Sequence, residues 1–324
     1  MNSAGNQLAI VFPGQGSQSV GMLSELAMAY PQVVSTFAEA SGVLGYDLWQ
    51  LVQSGPEETL NQTDHTQPAM LAAGEAVWRV WRERGGAAPA LVAGHSLGEY
   101  TALVCAGALD FAEAVDLVAE RGRCMQSAVP AGTGAMAAIL GLDDATVGAL
   151  CAQADNGGTV SPVNYNSPGQ VVIAGHVQAV ERAVAAAREA GAKRAVTLPV
   201  SVPSHCSLME PAARRFSDRL ARAAIRKPAV PVVQNVDAAA HVDPEEIRDN
   251  LERQLYSPVQ WVRTVQAMAA LGITRIIEAG PGKVLAGLNR RIDRNLGHAA
   301  VQDPASLDAA LAGNTSGGRD EAGQ

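Results

Sequence analysis

The chain has 324 residues, of which 48% are hydrophobic and 17% charged, with a formal net charge of −8. That balance is the one of an ordinary globular protein with a sizeable core, and one large domain, or one carrying an insertion, fits the length best. The acidic balance and the low aromatic content of 4% exclude a general nucleic-acid binder, which needs a basic surface and stacking platforms. No apolar run approaches the roughly eighteen residues of a membrane span. The start, MNSAGNQLAIVF, has no basic segment leading into a long apolar one, so a cytoplasmic location without membrane contact is expected. Cys105, Cys124, Cys151 and Cys206 show no C-x-x-C spacing, which predicts neither a metal site nor a disulfide framework.

Leu8 to Phe12 reads as a strand that empties into Pro13-Gly14-Gln15-Gly16-Ser17-Gln18. A dinucleotide fingerprint would need glycine where Ser19 stands and an acid after a second strand, whereas Glu39 falls in a helical pattern with Val33, Phe37 and Ala40. The Gly-Gln-Gly turn is either a plain connection or a place where backbone N–H groups approach a ligand closely. Helical segments follow, with loops expected at Gly42 to Gly45 and Ser54 to Glu57, and a helix over Thr66 to Arg84.

Leu91 to Ala93 is a short strand running into Gly94-His95-Ser96-Leu97-Gly98 and then a helix. In a G-x-S-x-G elbow the glycines leave no Cβ where strand reverses into helix, and the serine projects at a helix N-terminus that favours negative charge. Ser96 is therefore either a nucleophile or the capping serine of a glycine-rich turn. Asp110 to Glu113 reads as a capping box opening a helix to about Ala128, whose apolar stripe of Phe111, Ala114, Val118 and Met125 also holds Arg121. A guanidinium on that face must snorkel to the rim or meet an anion, supplied by an internal acid or by a ligand.

Residues 131–200 read as a module of their own. Strand at Gly134 to Leu140, helix at Asp143 to Ala154, a hairpin of Thr159 to Tyr165 with Gln170 to Ala174, helix at Val177 to Ala190 and strand at Arg194 to Val200 make the βαββαβ order of a ferredoxin-like unit. His205 is expected in the first turn of the next helix, where it is either an incidental histidine or, with the dipole keeping its imidazole neutral, a base. That helix carries Arg214, Arg215, Arg219, Arg222, Arg226 and Lys227 against Asp218 alone, either a solvated face or a dock for an acidic partner. Beyond it lie a strand at Val230 to Gln234, helices near Glu245 to Leu255 and Val259 to Leu271, and a strand at Ile273 to Glu278. A glycine-rich turn, a helix to about Ile292 and a polar tail from Gly313, expected to be disordered, complete the chain.

Several of these stretches together resemble the malonyl-CoA:acyl-carrier-protein transacylase family, over about Leu8 to Asp308. They are VFPGQGSQ at 11–18, QPAM at 67–70, GHSLGEY at 94–100, Arg121-Gly122, GTGAMAA at 132–138, NYNSPGQVVIAG at 164–175, VPSH at 202–205, SPVQW at 257–261 and EAGPGKVL at 278–285. The resemblance implies an α/β-hydrolase-like large domain, 1–130 and 201–312, with a ferredoxin-like insert at 131–200. It implies Ser96 as nucleophile, His205 as its base, Arg121 against the malonyl carboxylate, and the backbone N–H groups of Gln15 and Leu97 as oxyanion hole. Gln260 is implied as the residue orienting the histidine through its carbonyl, and His95 and Asn166 as further residues lining the site. The implied substrates are malonyl-CoA and an acidic acyl carrier protein, met transiently, with no cofactor. A monomer is the default expectation. The rival within the fold is an acyl hydrolase acting on carrier proteins, for which a buried Arg121 has no use. A serine esterase would need an acid before the last histidine and an HGGG-type loop, and neither is found.

Overall fold

The computed structural model describes residues 7–130, 132–200 and 202–313. The tail expected from Gly313 lies, beyond Gly313 itself, outside the described residues, as do Ala131 and Ser201 at the expected module boundaries. The described residues form ten strands: β1 Leu8–Phe12, β2 Leu91–Gly94, β3 Gly134–Leu140, β4 Val160–Ser167, β5 Gln170–His176, β6 Arg194–Thr197, β7 Val232–Val233, β8 Ala240–His241, β9 Arg275–Ala279 and β10 Gly297–Val301. They divide into two sheets. In the larger, β10-β9-β1-β2-β7 run parallel, and β8 closes one edge antiparallel to β7.

All five residues of β1 are buried, because the sheet is covered on both faces. Leu8, Ile10 and Phe12 join Val92 and Ile277 in one core beneath the helices Thr63–Glu83, Phe111–Gln126 and Glu210–Arg222. Ala9 and Val11 point the other way, with Leu91, Ala93 and Ile276, against the helices Trp261–Ala270 and Val284–Ile292. Alternation along a strand thus puts a continuous apolar run into two cores at once. The smaller sheet, ordered β4-β5-β3-β6, is antiparallel throughout. One face packs under the helices Asp144–Ala154 and Val177–Glu189. Its other face, with Met136, Val163, Val172 and Ala174, meets Cys206 and the loop carrying His205. The smaller sheet is tied to the segment just before the Trp261–Ala270 helix by backbone bonds from Val259 N–H to the Val163 carbonyl and from Tyr165 N–H to the Val259 carbonyl. No helix among the described residues is long and apolar enough to cross a membrane.

Several local expectations are corrected. The loop expected at Gly42 is the end of a helix, Gln32–Leu44, that stops only at Gly45, whose φ of 77° is left-handed. The capping box at Asp110 is half formed: the Asp110 carboxylate accepts from the N–H groups of Ala112 and Glu113, but Glu113 pairs with Arg219 instead of returning to the cap. The hairpin turn is tighter than expected, two residues with Gly169 at φ 71°, so Asn166 and Ser167 belong to β4. Strand β8, strand β10 and the closing helix Pro304–Ala312 carry no strong periodic signal, and the reading by pattern passes over them.

The turn after β2 passes under the end of β1 with no room to spare. A Cβ on Gly98 would lie 2.1 Å from the Phe12 carbonyl oxygen, and one on Gly94 would lie 1.9 Å from the Gly98 carbonyl carbon. Gly42 has open space around the same position and an ordinary φ. Gly98→Ala is therefore expected to lower the unfolding free energy by about 3 kcal/mol, the upper end for overpacking, because the obstacle is backbone. Gly42→Ala is expected to raise it by up to about 1 kcal/mol, the helix-propensity difference. Urea midpoints of the two variants check the opposite signs.

Candidate active site

Ser96 follows β2 directly and has φ 51°, a left-handed conformation that costs a non-glycine residue of order 1–3 kcal/mol unless its surroundings enforce it. Asn235, fully buried just after β7, is the main restraint. Its amide oxygen accepts the Ser96 N–H at 2.6 Å, and its amide nitrogen donates to the Gly94 carbonyl at 2.7 Å, spanning the elbow from both sides. Asn235 is fixed in turn by its own N–H, which donates to a carboxylate oxygen of Glu99 at 2.7 Å, while Gln234 donates to the other at 3.0 Å. Burial raises the Glu99 carboxyl to about 7.

The Ser96 Oγ lies 2.7 Å from His205 Nε2. His205 Nδ1 lies 2.7 Å from the Gln254 carbonyl, which can only accept, so Nδ1 carries the proton and Nε2 is free to accept one. Here two expectations change. The carbonyl on Nδ1 belongs to Gln254 and not to Gln260, whose own carbonyl is engaged by Thr264 N–H inside the Trp261–Ala270 helix. And His205 is not in the first turn of a helix: it sits at φ 67° in the loop before the short 3-10 turn Ser207–Met209, two residues ahead of it. Its neutrality has another source. Burial first, and then the nearby Arg121 cation, lower its pKa to about 3.

Arg121 is 1% exposed and does sit on the inward stripe of its helix. Its Nη1 donates to Gln67 Oε1 at 2.9 Å and its Nη2 to Gln254 Oε1 at 2.9 Å, with Ser96 Oγ 3.4 Å from Nη2. The guanidinium lies over the Tyr100 ring, 5.4 Å from its centre, and its Nε has no hydrogen-bond partner among the described residues. Among the described residues no carboxylate comes within ion-pair distance of it. Gln254 thus touches all three groups, because its side-chain nitrogen also donates to the Ser96 carbonyl at 3.1 Å.

These groups open onto a cavity of about 120 Å³ at the C-terminal ends of β1 and β2. Gln15, Ser96, Leu97, Arg121 and His205 line one side, and Met136, Val172, Leu198 and Val200, from the smaller sheet and the segment after it, line the other. The backbone N–H groups of Gln15 and Leu97 are not engaged in a hydrogen bond among the described residues, whereas that of Ser96 is consumed by Asn235. His95 lines the cavity and bonds Asn166 through Nε2 at 2.8 Å. Asn166 stands behind it: the asparagine on the wall is Asn164, whose buried Oδ1 has no hydrogen-bond partner among the described residues. Reading by motif missed Gln254 and Asn235 as site residues, and named Asn164 only as the first residue of NYNSPGQVVIAG, with no role attached. Gln67 and Glu99 lay inside quoted motifs, QPAM and GHSLGEY, but had no role attached to them.

A neutral imidazole within hydrogen-bond reach of a serine on a strained strand-to-helix elbow is the constellation of serine-nucleophile enzymes. A family model described as an acyl transferase domain matches residues 9–305. The malonyl CoA-acyl carrier protein transacylase of Escherichia coli (strain K12) is 60% identical over 305 residues, covering 94% of this chain and 99% of that one. The solved acyl carrier protein S-malonyltransferase of Vibrio cholerae superposes with a TM-score of 0.91 at 61% identity, covering 94% of this chain and 99% of that one. A malonyl-transacylase solved in complex with a type II polyketide acyl-carrier protein superposes with a TM-score of 0.94 at 58% identity, covering 95% of this chain and the whole of that one. With this extent of match, the chain belongs to the acyl transferase family, in its malonyl-CoA:acyl-carrier-protein transacylase group.

The depressed histidine has a direct test in the rate at which phenylmethylsulfonyl fluoride labels Ser96. A base with the usual pKa near 6.5 would lose activity through that value as the pH falls, since the imidazolium cannot accept the serine proton. With His205 held near 3, labelling is expected to continue without a step through pH 6.5 and to decline only towards pH 4. In Arg121→Ala one of the two depressing causes is gone, and the decline is expected to move to higher pH. Labelling that halves near pH 6.5 in the wild type would contradict the assignment.

Proposed function

We propose that the site performs malonyl transfer from malonyl-CoA to the phosphopantetheine thiol of an acyl carrier protein, by way of a malonyl ester on Ser96. The chain is an acyltransferase. His205 Nε2 takes the Ser96 hydroxyl proton as Oγ attacks the thioester carbonyl. The Gln15 and Leu97 N–H groups receive the oxyanion, and collapse expels the coenzyme A thiolate with the proton from His205. In the second half His205 takes the proton of the carrier thiol, the sulfur attacks the ester, and the proton returns to Ser96 as it leaves. The Gln254 carbonyl stabilises the imidazolium formed in each half, in place of the acid of a Ser-His-Asp triad.

The observation that carries the choice of acyl group is Arg121: a fully buried guanidinium, 3.4 Å from the nucleophile, with no acid of its own. A cation so placed is costly until an anion arrives, and malonyl brings a carboxylate matched to its fork. The hydrolase alternative offers no use for this charge. For the fold, we read the parallel sheet and its helices, 1–130 and 201–312, as an α/β-hydrolase-like domain, and 131–200 as a ferredoxin-like insert. The βαββαβ element order and the β4-β5-β3-β6 strand order support the second reading. A monomer in the cytoplasm is the state we propose, on the sequence alone.

The carrier's docking surface is narrowed by the ion pairs. Arg219 is held by Glu113 and Asp116, Arg214 pairs with Glu210, and Arg215 donates to the Cys124 carbonyl, so much of that basic helix is already engaged within the chain. Arg290, Arg291 and Arg294 line a surface hollow beside Leu296 and His298; Arg291 donates to the neutral Gln170 at 2.7 Å, and no acid is paired to the three among the described residues. We assign the acidic carrier to this second cluster.

Intact-protein mass spectrometry after mixing with malonyl-CoA tests the chemistry: a malonyl adduct is expected on the wild type and none on Ser96→Ala. Arg121→Ala is expected to lower kcat/KM for malonyl-CoA by on the order of a hundred- to a few thousandfold, the effect of leaving the carboxylate unpaired. Activity with acetyl-CoA is expected to hold or rise, so the ratio of the two substrates is the measurement, and an equal fall for both would remove the carboxylate role. Reversing Arg290 and Arg291 to Glu together is expected to raise the carrier KM roughly tenfold at low ionic strength, an effect that fades with salt. The same reversal at Arg215 and Arg219 should act on folding stability more than on the carrier KM.

A further inference from the structure

The guanidinium of Arg121 is oriented entirely by neutral acceptors. Gln67 Oε1 and Gln254 Oε1 each take one donor at 2.9 Å, and both glutamines are at most 1% exposed, so water does not compete for these bonds. The buried carboxylate of Glu99 accepts from Gln234 and Asn235 and forms no ion pair with Arg121, acting on it only through space. Tyr100 presents its ring face, and His205 is neutral. A buried arginine is ordinarily matched by an aspartate or glutamate, because an unpaired charge out of water is expensive. Here a carboxamide stands at both positions that an acid could occupy with the same shape. The two amides are themselves restrained: Gln67 Nε2 meets Met125 Sδ at 3.4 Å, and Gln254 Nε2 holds the Ser96 carbonyl.

We infer that Gln67 and Gln254 are specificity-determining residues, which hold the Arg121 fork aimed beside Ser96 while leaving its positive charge uncompensated for an incoming carboxylate. The role rests on the malonyl reading given above, and it is one that glutamate, isosteric with glutamine, cannot perform. A glutamate at either position would form an internal ion pair with Arg121, and the acyl carboxylate would then meet a neutralised site and a second negative charge within it. The neutral acyl group of acetyl-CoA meets neither penalty. Gln254→Glu leaves the backbone carbonyl that orients His205 in place, so its effect separates the side chain from that duty.

The test is the ratio of kcat/KM for malonyl-CoA to that for acetyl-CoA in Gln67→Glu, Gln254→Glu, Gln67→Met and Arg121→Ala, with the melting temperature of each. The expected result is a fall in the ratio on the order of a hundredfold in both glutamate variants, close to that of Arg121→Ala, with Gln67→Met about tenfold as orientation alone is lost. Ratios unchanged in the glutamate variants while Arg121→Ala loses malonyl selectively would overturn this role and leave the malonyl reading intact. If Arg121→Ala itself lowers both substrates equally, it is the malonyl reading that fails. Should a glutamate variant not fold, Gln67→Met decides: a ratio equal to the wild type, alongside a selective Arg121→Ala, overturns the proposal.

Discussion

The site depends on one close crossing of backbone. Where β2 ends, the chain must reverse beneath the end of β1: a side chain on Gly98 or Gly14 would strike the other segment's main chain, and one on Gly94 would strike the elbow's own main chain at Gly98. The result is that Ser96 is driven to φ 51° and its side chain stands clear of the sheet. Strain of that kind does not hold itself. The Asn235 side chain, bridging the Gly94 carbonyl and the Ser96 N–H, supplies the restraint, and by occupying the Ser96 N–H it leaves the neighbouring Leu97 N–H as the group free to face an oxyanion.

The electrostatics of the site follow from burial with few acids. Burial first, and then the buried guanidinium beside it, lower the pKa of the imidazole, and the burial that makes Arg121 costly is the ground for proposing that it receives an anionic acyl group. For Arg121 itself, burial lowers the pKa, and Tyr100 and Glu99 act in the other direction. A conventional triad acid next to His205 would cancel part of this arrangement, since a carboxylate there would both raise the imidazole pKa and compete for the guanidinium. The Gln254 carbonyl orients the ring with a dipole and adds no net charge. One residue therefore serves the base through its main chain and the arginine through its side chain.

The two sheets divide the work. The parallel sheet positions the nucleophile loop and the Gly14-Gln15-Gly16 turn at the ends of adjacent strands, where open α/β sheets gather ligands. The smaller sheet contributes an apolar wall, Met136 and Val172, and so closes a cavity that neither unit has alone. Water excluded by that wall strengthens every interaction among Ser96, His205 and Arg121.

Much of this was legible in the sequence, and for reasons that can be named. Strands β1 and β2 announce themselves because a strand buried on both faces must be continuously apolar, and the elbow does so because only glycine tolerates the crossing. Arg121 stood out as a charge on an apolar stripe, and the βαββαβ order of 131–200 emerged from a change of period from 2 to 3.6 and back. What stayed hidden were the residues whose roles are made by contact across long separations. Asn235 lies 139 positions from the serine it restrains, Gln254 49 positions from the histidine it orients, and Gln67 54 positions from Arg121. An amide carries no charge and no periodicity that marks it as functional, and a backbone carbonyl is present at every residue, so Gln260 and Gln254 are equal candidates until the chain is folded. The sequence by itself determined the kinds of chemistry available: a serine at a forced turn, a histidine, a buried cation. Only the tertiary structure decided which neutral groups surround them, because that choice is made by distances of about 3 Å between segments that no local pattern brings together.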